Sequence, residues 1–275
     1  MYLSEKITYS TVRISCDYKN GSAGVGTGFI MDLWRDTRNN ISFPFVVTNK
    51  HVVKNSVKCT FELCKADADG NPIDRESYAV ALTDDLWIQH PCEDVDLCCF
   101  PIWEILNDLV EKGMKPYYIP LQTDLIPNQD VLNDLYAMED ICMVGYPDGL
   151  YDVVNHKPII RRGTTATHAK NDYNGKKQFL IDCACFNGSS GSPVFICNEM
   201  PYATLTAGDR IILLGVLFSG PMFTVDGEIT FSNIPVEPVA KTNIPMNLGC
   251  VIKASEILVL RDEFLSKIKE GNLNL

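Results

Sequence analysis

Residues 186–195 read FNGSSGSPVF, with three serines set among two glycines and a proline, and they overlap the end of the apolar run FLIDCACF (179–186). Clusters of Gly, Ser and Pro usually punctuate a chain as turns. One reading is therefore a tight turn between two strands. The other is that one serine is held there for chemistry. A nucleophilic serine needs exposure, a base, and backbone N–H groups aimed at the developing oxyanion. A glycine two residues earlier lets the loop bend so that two N–H groups converge. In Gly188-Ser189-Ser190-Gly191 these would be the N–H groups of Gly188 and Ser190. The competing G-x-S-x-G elbow joins a strand to a helix. It fails here because position 192 is serine and the residues that follow read as a strand.

Bulk properties narrow the setting. The chain has 275 residues, 46% of them hydrophobic, enough for one large domain or two small halves. No run approaches the roughly 18 apolar residues of a membrane span, so no membrane partner is expected. The start, MYLSEKITYSTVRISC, lacks a basic-then-apolar leader, and a cytoplasmic location is the expectation. A net charge of −11 argues against nucleic acid as a partner, since backbone binding needs a basic surface. Of the eleven cysteines, Cys98, Cys99, Cys142, Cys183, Cys185 and Cys197 lie in apolar, strand-like runs and read as reduced core thiols. Neither Cys183-x-Cys185 nor Cys59-x4-Cys64 has a second pair at ligand spacing. No metal and no cofactor is expected.

Most of the chain alternates short apolar strands with Gly, Asn, Asp and Pro turns, the pattern of an all-β sandwich or barrel. VRISCDY, GTGFIMDLW, FPFVVTN, VKCTFELC, YAVALT and DLCCFPI form a first strand-rich half over about residues 7–110. WEILNDLVEKG reads as a helix with Ile105, Leu106 and Leu109 on one face. A linker with short helical pieces is expected over about 111–138. A second strand-rich half follows over about 139–252, with ICMVGYP, KPIIRRGTTATHA, KQFLIDCACF, SPVFIC, RIILLGVLFSG and EITFSNI. The chain then closes with a helix over about 253–270, capped by Ser255, whose stripe Ile257, Leu260, Phe264 and Ile268 predicts packing onto the core.

Among the four histidines, His51 in FVVTNKHVV comes just as a strand leaves the core, a position that supports an imidazole yet leaves it reachable. Asp94 and Asp96 open the apolar strand DLCCFPI, two apart and so expected on one side. A carboxylate at the edge of a core strand is costly unless paired, and a histidine Nδ1–H is a natural partner. Taken together, His51, Asp96 and Ser190 stand in the His…Asp…Ser order of a known nucleophilic triad. His51 and Asp96 lie in the first half and Ser190 in the second, so a cleft between the halves would unite them.

At these residues the sequence resembles the trypsin-like serine proteases of chymotrypsin fold, nearest the bacterial HtrA/Deg type. GTGFI (26–30), VVTNKHVV (46–53), DLCCF (96–100), VGYPDGL (144–150) with RRGTTA (161–166), and DCACFNGSSGSPVF (182–195) are each similar to a family motif, in collinear order. The resemblance implies a double β-barrel with a C-terminal helix. It implies a serine endopeptidase acting on protein or peptide substrates through an acyl-enzyme, with His51 as general base, Asp96 as orienting carboxylate and Ser190 as nucleophile. Asp94 is the alternative third member. The oxyanion hole would use the N–H groups of Gly188 and Ser190. By family register, Phe218, Ser219 and Gly220 would form the wall of the S1 pocket and Ala184 its base, which implies a small or apolar P1 residue unless Asp182 reaches in. The departures are Ser189, where the family carries Asn or Asp, and Ser192, where it carries glycine. No PDZ module is expected to follow. Restraint is expected from a separate regulatory or activating protein, or from an inactive resting geometry of the oxyanion hole. The alternative function is a catalytically inactive trypsin-like fold serving as a binding or scaffold module.

Overall fold

The computed structural model describes residues 1–36, 41–82, 86–198, 210–228 and 239–270. A helix that the strand pattern hides opens the chain: α1 (Leu3–Ser10), whose Glu5 carboxylate accepts the Tyr2 N–H at 2.7 Å and whose Ile7 is buried. Then come β1 (Thr11–Tyr18), β2 (Ala23–Asp36), β3 (Ile41–Thr48), the single-turn α2 (Lys50–Val53), β4 (Ser56–Ala66), β5 (Pro72–Leu82), β6 (Ile88–Gln89) and β7 (Cys98–Pro101). The helix expected after Ile102 is α3 (Trp103–Glu111), with Leu106 buried and Ile105 and Leu109 packed on the same core. Residues that follow carry β8 (Pro116–Tyr117), β9 (Leu121–Gln122) and α4 (Gln129–Asn133). The second half contributes β10 (Asp140–Gly145), β11 (Ile159–Thr165), β12 (Gln178–Asp182), β13 (Pro193–Asn198), β14 (Arg210–Ser219), β15 (Met222–Glu228), β16 (Val239–Pro245), β17 (Leu248–Lys253) and α5 (Ser255–Lys269). Most of the strand expected at EITFSNI (228–234) lies outside the described residues.

In the first half the ladder runs β5-β4-β1-β2-β3-β7-β6, with β8 on β4 and β9 on β2, as one nine-stranded sheet. The second half closes as a six-stranded barrel, β10-β11-β12-β17-β14-β13, and β15 and β16 pair beside it. Each half has its own apolar cluster, and a third spans both. That shared cluster joins Phe29, Phe45 and Cys99 to Val144, Phe195 and Val216, and α5 seals it. Ile257, Leu260 and Phe264 are fully buried, and the Phe264 ring meets Phe45 edge-on at 4.8 Å. Full burial of one such side chain is worth about 1.5–3 kcal/mol.

Three local expectations need correction. Ser255 is not the cap of α5; that place falls to Ala254 in helical conformation, with no side-chain cap bond. Asp94 and Asp96 do not lie on a strand, because the chain turns through 91–95 and pairs only from Cys98. Cys142 and Cys197 are half-buried, whereas Cys98, Cys99, Cys183 and Cys185 are buried. No helix among the described residues is long and apolar enough to cross a membrane.

Candidate active site

Where β3 ends at Thr48, the chain makes one helical turn and presents His51 at the surface. The turn before β7 presents Asp96 to it. Asp96 grips the histidine at two points: Oδ1 accepts the His51 backbone N–H at 3.0 Å, and Oδ2 lies 2.5 Å from Nδ1. The Asp96 turn is itself pinned. Asn49 Nδ2 donates to the Asp96 carbonyl at 2.7 Å, and Lys50 Nζ to the Cys92 carbonyl at 2.9 Å. Asp94 is exposed in the same turn, and the His51 contacts belong to Asp96. Burial alone would raise the Asp96 carboxyl, but the His51 hydrogen bonds and charge outweigh it and hold the pKa below the usual value. With Asp96 ionised, the proton between the pair belongs on Nδ1, leaving Nε2 as an acceptor.

Ser190 sits in the loop between β12 and β13. Its hydroxyl donates to the Phe218 carbonyl at 3.4 Å and not to His51. The loop is tied to the first half by one residue that the sequence reading passed over, Thr27 of GTGF. Thr27 is fully buried; its N–H donates to the Ser190 carbonyl at 2.8 Å and its hydroxyl to the Gly188 carbonyl at 2.8 Å. The Thr27 hydroxyl also accepts the Tyr146 N–H, and its carbonyl accepts the Thr48 hydroxyl at 2.7 Å. Thr48 is three residues before His51, so one short relay connects the histidine turn to the serine loop.

The carbonyls of that loop are engaged within the protein. The Asn187 carbonyl accepts the Asp148 N–H at 2.6 Å. In a trans peptide N–H and C=O oppose each other, so the Gly188 N–H faces away from the 146–149 turn. Neither the Gly188 nor the Ser190 N–H has a backbone acceptor among the described residues.

Both departures from the family pattern fit the packing, although the buried Ser192 hydroxyl has no hydrogen-bond partner among the described residues. Ser192 is fully buried, and its hydroxyl fills the space left by the missing side chain of Gly145; a Cβ there would lie 2.1 Å from Ser192 Oγ. Ser189 is also fully buried and takes its hydrogen bonds from Arg161 Nη1 at 2.8 Å and the Phe186 N–H at 3.4 Å. Gly191 has no substitute: φ is +88° and a Cβ would lie 1.8 Å from the Thr27 carbonyl oxygen. Gly191→Ala is expected to destabilise the fold by more than the ~1–2 kcal/mol that left-handed backbone costs an L-residue, read as a lowered denaturation midpoint.

A cavity of about 540 Å³ opens beside Ser190. Phe218, Ser219 and Gly220 line it, with Cys185, Phe186, Leu217 and Pro221. Ala184, expected at its base, does not line it; its carbonyl is engaged by Arg161 Nη1 at 2.7 Å. Nor does Asp182 reach in, since its carboxylate accepts from Asn247. The charged lining residue is Asp148, which the sequence reading did not single out. No cluster of three or more metal-ligating side chains occurs among the described residues.

Comparison with known proteins agrees with this architecture. Residues 26–199 match the family model described as a trypsin-like peptidase domain. Among solved structures, the chain is similar to the HtrA-type protease AlgW, as a serine-to-alanine variant with a tripeptide. That match has TM-score 0.50 and 15% identity, and it covers 97% of this chain and 62% of that one. It is also similar to a serine endoprotease from Yersinia pestis (TM-score 0.47, 14% identity, 97% and 64% covered) and to the Rv3671c protease from M. tuberculosis (TM-score 0.46, 16% identity, 94% and 82% covered). The chain thus spans under two thirds of the length of AlgW. No curated protein sequence matches it. With the matched segment reaching from the GTGF strand past the Ser190 loop, over half of its length, the chain belongs to the trypsin-like peptidase domain family.

Proposed function

We propose that the protein is a serine endopeptidase, with Ser190 as nucleophile, His51 as general base and Asp96 as its orienting partner. The two-point grip of Asp96 on His51 carries the reading. It fixes ring and tautomer together, and it leaves Nε2 as the acceptor a serine hydroxyl needs. The reaction requires the Ser190 hydroxyl to exchange its long bond to Phe218 for one to His51; resting enzymes often show such bonds loose. Ser190 Oγ then attacks the scissile carbonyl as its proton passes to Nε2. The N–H groups of Gly188 and Ser190 stabilise the oxyanion, the imidazolium protonates the departing amine, and water releases the acyl group by the same route. The Phe218 carbonyl, once released, can accept from an extended substrate backbone.

The apolar cavity wall supports a small or apolar P1 side chain. The Asn187 and Gly188 carbonyls, engaged by the Asp148 N–H and the Thr27 hydroxyl, favour restraint by a separate regulatory protein over a collapsed oxyanion loop. A fluorophosphonate probe tests the chemistry: the native protein should label and Ser190→Ala should not. A native protein that stays unlabelled would leave a binding module as the function. Profiling against a peptide library tests the pocket, and strict cleavage after Lys or Arg would overturn the apolar assignment and point to Asp148.

A further inference from the structure

Arg161 belongs to none of the roles above, yet its guanidinium lies directly behind the nucleophile loop. It projects from β11, opposite Met143 of β10, and a single nitrogen, Nη1, makes two hydrogen bonds. One goes to the Ala184 carbonyl at 2.7 Å and the other to the Ser189 hydroxyl at 2.8 Å. These acceptors are an early residue of the loop between β12 and β13 and the residue just before Ser190. The remaining N–H groups, Nε and Nη2, are buried without a partner among the described residues. Burial accordingly depresses the pKa of this arginine.

As a purely structural element this is a poor solution. An unsatisfied buried donor costs about 1–3 kcal/mol, and this guanidinium leaves two of them. What the guanidinium supplies, and an apolar side chain cannot, is one charged donor that spans the loop from Ala184 to Ser189. Ser189 is the residue whose peptide carries the Ser190 N–H, and its own N–H closes a turn on the Phe186 carbonyl at 3.1 Å. A brace at Ser189 therefore sets the direction of one of the two proposed oxyanion donors.

We propose that Arg161 is a positioning residue, acting through Ser189 to hold the nucleophile loop in its oxyanion-binding shape. The proposal rests on the reading of Ser190 as nucleophile. It also gives the unusual serine at 189 a function: it is the acceptor through which the second barrel holds the loop.

The test measures the fluorophosphonate acylation rate, kcat and KM for a peptide substrate, and the denaturation midpoint. Arg161→Met removes two unpartnered N–H groups but leaves the Ala184 carbonyl and the buried Ser189 hydroxyl without their guanidinium donor, so its midpoint should stay level or fall modestly. It should acylate about 10²-fold more slowly, the loss seen when one oxyanion donor is misplaced, with the loss in kcat and KM little changed. Arg161→Lys, whose ammonium can approach both acceptors but is shorter, should fall between Met and native. Ser189→Ala should slow acylation on its own, and Arg161→Met with Ser189→Ala should be no slower than Arg161→Met, because the two act through one contact. Native-rate acylation in Arg161→Met, or losses that multiply in the double variant, would overturn the proposal. If Arg161→Met does not fold, Ser189→Ala decides: a native acylation rate with a native midpoint refutes the brace. A native protein that does not label at all refutes the nucleophile reading itself, a result distinct from every variant outcome above.

Discussion

Ser190→Ala is expected to lower kcat for peptide hydrolysis by roughly 10⁶-fold, His51→Ala by about the same, and the double variant by no more than either alone. The reason is that the two residues perform one event. The hydroxyl is a useful nucleophile only if its proton leaves as the carbon–oxygen bond forms, and the imidazole has no task without that proton. KM should move little, because the proposed substrate contacts lie on the cavity wall of Leu217, Phe218 and Pro221, which both variants leave intact. Residual catalysis of about 10³–10⁴ over water should remain from the oxyanion donors and binding. Folding should be unaffected, since His51 is close to half exposed and Ser190 lies at the cavity surface. Kinetics on a fluorogenic peptide, with circular dichroism as control, reads all of this. A His51→Ala variant within tenfold of native would break the assignment.

How much of this could be read beforehand depended on what kind of contact was involved. Strands announced themselves through local alternation, and the C-terminal helix through its buried stripe of Ile257, Leu260 and Phe264. His51, Asp96 and Ser190 could be proposed from the sequence because histidine is scarce and the three reactive types follow one another in a known order along the chain. Their supports were not. Thr27 is an ordinary threonine in sequence and becomes the hinge of the site only when β2 meets the serine loop 161 residues away. Arg161 reads as half of a surface basic pair, but β11 sends Arg162 outward to Asp140 and Arg161 inward to Ser189. Ser192 was suspect as an oversized residue, and only the fold shows that Gly145 makes room for it. The family register put Ala184 in the pocket, but its carbonyl proved to be tied to Arg161. Asp94 and Asp96 were indistinguishable by strand geometry because the segment is a turn, and the backbone N–H of His51 does the choosing.

Asp96→Asn should reduce kcat by about 10⁴-fold while leaving the site's shape intact. The argument is one of donors and acceptors. Asp96 now accepts twice, from the His51 backbone N–H and from Nδ1. Asparagine has one accepting oxygen and one donating nitrogen. If its oxygen keeps the backbone N–H, its amide must donate to Nδ1, which forces the ring proton onto Nε2. An imidazole in that tautomer offers Ser190 a donor where an acceptor is required. Asp94→Asn, in the exposed part of the same turn, should remain near native and so separates the two candidates. Stability supplies a second reading. Because the folded-state pKa of Asp96 is depressed, its contribution is complete above the ordinary value of 3.8 and is lost as pH falls through the lower folded value. Chemical denaturation of the native protein should therefore show a stability increment at neutral pH that shrinks below about pH 4. In Asp96→Asn that increment should be missing at every pH, whereas Asp94→Asn should keep it. Equal acid sensitivity in the native and Asp96→Asn proteins, together with retained activity, would remove Asp96 from the triad.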